Sequence, residues 1–277
     1  MRIPSAVFAR LRETACRQSL ILCYHGVATT RVVDDPNFFC VDPGRLRTQV
    51  ALLRASGFRF VTVAELAESG PAHGAPPPPG LVALSFDDGW HDNHSNLLPL
   101  LTAAQIPATI FVISGLMGLP NPWIRREANM RMMTLAEVRD CIAAGVEIGA
   151  HTVTHPDLSL VSRPGCDYEV GAGRRALQEL TQTEVTTFAY PYFHYGADAL
   201  EAVRASGFTV AVAGRTRGWE RYELPRTLIT GKDGLMSFAL KVLGHYDRVW
   251  GSKAGAVARL ATRAPRRIGR LLLEDHG

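Results

Sequence analysis

The chain has 277 residues, 47% of them hydrophobic and 20% charged, with a formal net charge of +4. That profile fits one large folded domain and excludes a disordered chain and a multispan membrane protein. No apolar run approaches the roughly 18 residues of a membrane span, and so small a charge does not imply nucleic acid.

At the N-terminus Arg10, Glu13 and Arg17 interrupt the apolar residues and no small-residue cleavage site follows. No cleaved secretion signal is expected, which points to the cytoplasm. Cys16, Cys23, Cys40, Cys141 and Cys166 are odd in number, widely spaced and without a C-x-x-C. They indicate reduced thiols rather than a disulfide framework or a zinc ribbon.

Apolar runs of strand length then alternate with helical stretches, the pattern of βα units around a parallel sheet. The strands are expected at SLILCYH (Ser19 to His25), FRFVTV (Phe58 to Val63), LVALSF (Leu81 to Phe86), ATIFVI (Ala108 to Ile113), VEIGAH (Val146 to His151), TTFAYP (Thr186 to Pro191), FTVAVA (Phe208 to Ala213) and ELPRTLI (Glu223 to Ile229). Between them, PGRLRTQVALLRASG places Leu46, Val50 and Leu53 at helical spacing before a Gly57 stop. MTLAEVRDCIAAG opens on Thr134 with Glu137 three residues on, a capping box. Helical spacing recurs in RRALQEL and ADALEAVRASG, while Pro76 to Pro79 form a stiff connector.

Seven to eight strands within one domain's length predict a distorted (β/α) barrel over residues 1–240. Residues 241–277 read as a basic helical tail, with eight Lys or Arg between Lys241 and Arg270 against the single acid Asp247. Such a tail suits peripheral contact with anionic lipid at the inner membrane face; a solvated helix face is the competing reading.

In a parallel barrel the C-terminal strand ends share one mouth, where chemistry is built. His25, Asp87, Asp88, His151 and Tyr192 all fall at or just beyond predicted strand ends. His151 and His155 are spaced i, i+4, but β-branched Thr152, Val153 and Thr154 lie between them and Pro156 disfavours helix at His155. The pair is expected to straddle a strand end and its loop. One carboxylate and two neutral imidazoles suit a divalent cation with open positions, and a second carboxylate is then available as a base.

SFDDG (Ser85 to Gly89), HTVTH (His151 to His155) and FAYPY (Phe188 to Tyr192) together resemble the three motifs of the polysaccharide deacetylase family (NodB homology, carbohydrate esterase 4). CYHGV (Cys23 to Val27), VDPGRLRTQVALLRASGF and ELPR (Glu223 to Arg226) extend the likeness toward its exopolysaccharide and biofilm subgroup. The resemblance implies that Asp88, His151 and His155 hold the metal, that Asp87 is the base, and that the Tyr192 backbone N–H helps hold an oxyanion. Family members use zinc or a similar ion; cobalt, nickel and iron accept the same ligands.

Two departures matter. The arginine that commonly opens the third motif is missing, and Arg226 is the candidate to pair with Asp87, against an exposed surface arginine. The late Leu-x-His motif is also missing; the resemblance to the exopolysaccharide subgroup, whose motifs are permuted so that the acid comes from the N-terminal strand, implies His25 as the general acid, against a buried, hydrogen-bonded core histidine. Trp90, His194, Tyr195 and Trp123 are candidates for sugar contact, with His91 and His94 on a helix start. The implied activity is metal-dependent de-N-acetylation of an amino-sugar polysaccharide or a lipid-linked glycan precursor. An O-acetyl esterase or small-amide hydrolase is the rival within enzymes, and a non-catalytic sugar-binding barrel the rival outside them.

Overall fold

All six residues of LVALSF are buried, which marks them as a strand covered on both faces, as parallel sheets require. In a computed structural model that describes residues 3–29, 35, 38–122, 131–214, 216 and 218–244, this strand is β3 (Leu81–Phe86). It joins β1 (Leu20–Tyr24), β2 (Arg59–Val61), β4 (Thr109–Val112), β5 (Glu147–Ala150), β6 (Thr187–Ala189), β7 (Val210–Val212) and β8 (Thr227–Leu228). The helices are α1 (Ser5–Ala15), α2 (Pro43–Ala55), α3 (Val63–Glu68), α4 (Leu98–Ala104), α5 (Leu135–Ala143), α6 (Arg163–Cys166), α7 (Gly173–Thr181), α8 (Ala197–Ala205) and α9 (Leu235–Val242).

Among the described residues these eight strands pair in parallel, in the order β7-β6-β5-β4-β3-β1-β8 with β2 beside the start of β3. The sheet also meets itself. Leu224 N–H donates to Ala211 O at 2.9 Å, Ala213 N–H to Leu224 O at 2.8 Å and Arg226 N–H to Gly214 O at 3.0 Å, while Ile229 N–H donates to Cys23 O at 2.8 Å. The segment 224–229 therefore closes the distorted barrel between β7 and β1. Sequence reading takes this segment as one strand; only Thr227–Leu228 is regular, because the chain must change partner within six residues.

The two-residue period of the strands sorts the core. Ile21, Ala83, Val61, Phe111, Ala189, Val210, Val212 and Leu224 form one cluster with Leu66 and Ala67 of α3, the filling of the barrel. Leu22, Tyr24, Val82, Leu84 and Phe86 alternate with these residues and pack beneath the outer helices. Glu147 accepts hydrogen bonds from Thr109 Oγ1 at 2.7 Å, Thr187 Oγ1 at 2.5 Å and Ala64 N–H at 3.0 Å. It so anchors the N-terminus of α3 across the lower end of the barrel.

Local signals explain the element bounds. Asp42 caps α2, accepting from Gly44 N–H at 2.8 Å and Arg45 N–H at 3.1 Å, with Pro43 in the first turn. Thr134 and Glu137 form the expected capping box of α5. A second box, Thr62 with Glu65, ends β2 at Val61, two residues before the predicted Val63. No helix of the described residues is long and apolar enough to cross a membrane. Trp123 and the basic tail from residue 245 onward lie outside the described residues.

Candidate active site

β3 delivers the two neighbouring carboxylates in different directions. Asp87 N–H still donates to Tyr24 O at 2.9 Å, so the pleat of Leu81, Ala83 and Ser85 continues through Asp87 and turns its side chain into the barrel mouth. Asp88 and Gly89 then adopt φ of 74° and 72°. Glycine takes this left-handed region freely and aspartate tolerates it, so the chain leaves the strand abruptly and Asp88 faces the next two strands.

Arg226, brought to the mouth by the closing segment, meets Asp87 in a two-pronged ion pair. Nη1 lies 2.6 Å from Oδ1 and Nη2 2.9 Å from Oδ2. Nε donates to Ala213 O at 3.0 Å, and the guanidinium lies against the rings of Phe111 and Phe193. The arginine is 3% exposed, which rules out the surface alternative. Burial alone would raise the Asp87 carboxyl; the charge of Arg226, with His151 and His25 behind it, outweighs burial and holds it below the usual carboxylate range.

His151 follows β5 and donates from Nδ1 to Ala189 O at 2.7 Å, which fixes its tautomer and leaves Nε2 to face outward. The HTVTH segment is a loop, as its β-branched residues predict, with left-handed backbone at Thr152 and His155. Glu169 pins that loop: it accepts from Val153 N–H and Thr154 N–H at 2.9 Å each and from Thr154 Oγ1 at 2.7 Å. His155 N–H is held by Thr152 Oγ1 at 2.9 Å.

Three ligand atoms converge as a result. Asp88 Oδ1 lies 3.4 Å from His151 Nε2 and 3.3 Å from His155 Nε2, and the two Nε2 atoms are 3.2 Å apart. Ligands about 2.0–2.1 Å from one tetrahedral cation would be separated by roughly 3.3 Å, so the triangle has the size of a single zinc-like site. Asp88 Oδ1 is buried without a well-directed hydrogen bond of its own, the state of an oxygen that needs a cation. Burial pushes the His155 imidazole down, toward the neutral form that binds metal. Asp88 lies well below the carboxylate range, because His151 and His155 overcome its burial.

Around this centre, His25 stacks on Phe39 with ring centroids 4.4 Å apart. Ligand-type atoms of His25, Cys23 and Asp87 lie within 4.8 Å of one another, which sets the proposed acid beside the proposed base. Cys23 Sγ lies 3.4 Å from Asp87 Oδ2; burial raises this thiol and keeps it protonated. The Tyr192 ring meets the His155 ring edge-on at 4.6 Å and is 49% exposed. Tyr192 and Phe193 have φ of 55° and 62°. With Asp88, Thr152 and His155, they make the mouth the place where non-glycine backbone strain gathers.

The residues expected to touch sugar divide. His194 stands at the rim, its Nδ1 2.8 Å from Asp157 Oδ2. Trp90 is 1% exposed, a correction to its assignment as a sugar contact; its Nε1–H donates to Asp88 Oδ2 at 3.1 Å, so it orients that carboxylate. Tyr195 is half-buried. Its ring stacks on Tyr190 at 4.3 Å and its hydroxyl donates to Glu223 Oε1 at 2.7 Å. Glu169 was not foreseen, since an acid in DYEVGAG carries no signal before the chain is folded.

A curled parallel sheet with buried carboxylates and histidines gathered at one mouth defines a class of fold, and known proteins identify its members. The profile of the polysaccharide deacetylase family matches residues 74–211, and the chain belongs to that family. It is 22% identical over 192 residues to protein YxkH of Bacillus subtilis (strain 168), covering 69% of this chain and 63% of the relative. It is 25% identical over 249 residues to the poly-beta-1,6-N-acetyl-D-glucosamine N-deacetylase of Escherichia coli (strain K12), covering 76% and 36%. The chain thus spans less than two thirds of either relative. Among solved structures, IcaB from Ammonifex degensii superposes with a TM-score of 0.68 at 24% identity, covering 83% of this chain and 97% of that one. That likeness shows the fold, with its curled parallel sheet.

Proposed function

We propose that this chain is a metal-dependent hydrolase that removes N-acetyl groups from an amino-sugar glycan, either a polymer or a lipid-linked precursor. The observation that carries the reading is the buried Asp87–Arg226 pair beside the Asp88, His151 and His155 triangle. A sugar-binding barrel needs neither a base nor its positioning arginine. The names of the relatives, N-deacetylases of poly-N-acetylglucosamine among them, support the substrate class.

Asp88, His151 and His155 would hold one divalent cation, zinc first among the ions suited to these ligands. When bound, it supplies Lewis-acid polarisation of the acetyl carbonyl and lowers the pKa of water. Asp87 takes the proton of the attacking water, and Arg226 keeps that carboxylate charged and aimed. The Tyr192 N–H supports the developing oxyanion. His25 gives a proton to the departing amine, a step an amide requires more than an activated ester because an amine anion leaves poorly.

Acetate release from N-acetylglucosamine oligomers, measured before and after chelation and on adding zinc, cobalt or nickel, tests the reading. Activity is expected only with metal; hydrolysis of O-acetyl sugars alone would favour the esterase. Trp90→Phe keeps the bulk of the ring and loses the hydrogen bond to Asp88. Loss of such an outer contact is expected to weaken metal binding by about 10–100-fold, read by competition with a chelating dye.

A further inference from the structure

The eight residues after Asp88 do more than end a turn. Asn93 Nδ2 donates to His25 O at 2.9 Å, and Asn96 Nδ2 to Val27 O at 2.8 Å. Asp92 Oδ1 accepts from the same Asn93 amide at 3.1 Å, which orients it. Gly26, between the two held carbonyls, packs so closely that a Cβ there would lie 2.7 Å from the Trp90 ring and 2.9 Å from Asp92 Oδ2. Asn93 and Asp92 are buried.

The helix that carries these side chains is widened into a π turn over Asn93–Leu97 before it becomes α4. Pro99 lacks the N–H that would donate to Ser95 O, which loosens the regular ladder at this place. Trp90, on the same stretch, holds Asp88.

From this geometry we infer that Trp90–Asn96 is a brace joining the two halves of the reaction centre, and that Asn93 and Asn96 are positioning residues for His25. The metal carboxylate is held at one end of the brace and the loop of the proton donor at the other. The inference rests on the proposed function above, through the role of His25 as acid. Asn93 acts through the His25 backbone, so its loss displaces the imidazole from the leaving nitrogen and leaves the Asp88, His151 and His155 ligands in place.

The test compares acetate release from an N-acetylglucosamine oligomer with hydrolysis of 4-nitrophenyl acetate, in the zinc-loaded wild type, His25→Ala, Asn93→Ala and Asn96→Ala proteins, with bound zinc measured in each. Asn93→Ala is expected to lose about 10–100-fold in kcat on the amide, the cost of misplacing a catalytic group. Its ester rate should change by less than about 3-fold, with zinc content unchanged. Asn96→Ala, altered at the surface, follows in the same direction with a smaller loss and tests the brace if Asn93→Ala does not fold. Equal losses on amide and ester, or no loss in either variant, overturn the brace. If His25→Ala itself shows no preference for the ester, the acid assignment fails instead; a preference in His25→Ala that neither asparagine variant shares sinks the brace alone.

Discussion

Asp87→Asn is expected to lower acetate release by about 10²–10⁴-fold, the range a positioned general base contributes, while bound metal stays at the wild-type level. The two effects separate because the carboxylates are separate in space. Asp87 points into the barrel mouth and faces Arg226, whereas Asp88 faces the histidines. Asparagine has the shape of aspartate but cannot take a proton from water. It also leaves the guanidinium of Arg226, 3% exposed, without its counter-charge, so a loss of stability of about 3–5 kcal/mol accompanies the loss of rate. Metal analysis, acetate release and denaturant unfolding of the same preparation read all three quantities. A variant with full metal and full activity would show that another group is the base.

The second large effect is expected at Arg226→Met, which keeps a long apolar stem against Phe111 and Phe193 and removes the charge. Asp87 is then buried and unpaired, which costs about 3–5 kcal/mol at neutral pH. The sign of the pH dependence follows from the direction of its shift. In the wild type the Asp87 carboxyl is depressed, so the pair contributes stability above the unfolded carboxyl value of about 3.9 and loses it as pH falls through the folded value. In the variant burial is opposed only by His151 and His25, so the carboxyl rises from its wild-type position. It then takes up a proton at higher pH, and the stability gap between the proteins narrows as the solution becomes acidic. The acid limb of the pH–rate profile moves upward for the same reason, because a protonated Asp87 is no base. Arg226→Met with an unmoved acid limb would remove the arginine from the mechanism.

The motifs were legible in the sequence because they depend on local physics. The short apolar run of LVALSF, the Asp-Gly turn after it and the capping box of Thr134 with Glu137 each involve neighbours a few residues apart. A parallel barrel then places the ends of such strands at one mouth, which is why His25, Asp87, Asp88, His151 and Tyr192 could be grouped before any coordinate was known, while the choice of Asp88 with His151 and His155 rested on the family resemblance. Local signals also set limits. The box at Thr62 stopped β2 short of Val63, and a short apolar run cannot reveal that a polar cap overrides it.

What the tertiary structure decided is contact across long separations. Asp87 and Arg226 are 139 positions apart, and their meeting depends on the segment 224–229 leaving β7 to join β1. The burial of Trp90 against Asp88, the capture of Tyr195 by Tyr190 and Glu223, and the hold of Glu169 on the histidine loop depend in the same way on which helix packs over which strand. Residue type and spacing express propensity, turn chemistry and periodicity, all short-ranged. Whether a tryptophan faces a sugar or a buried carboxylate is settled by register and packing, in which the whole closed sheet takes part.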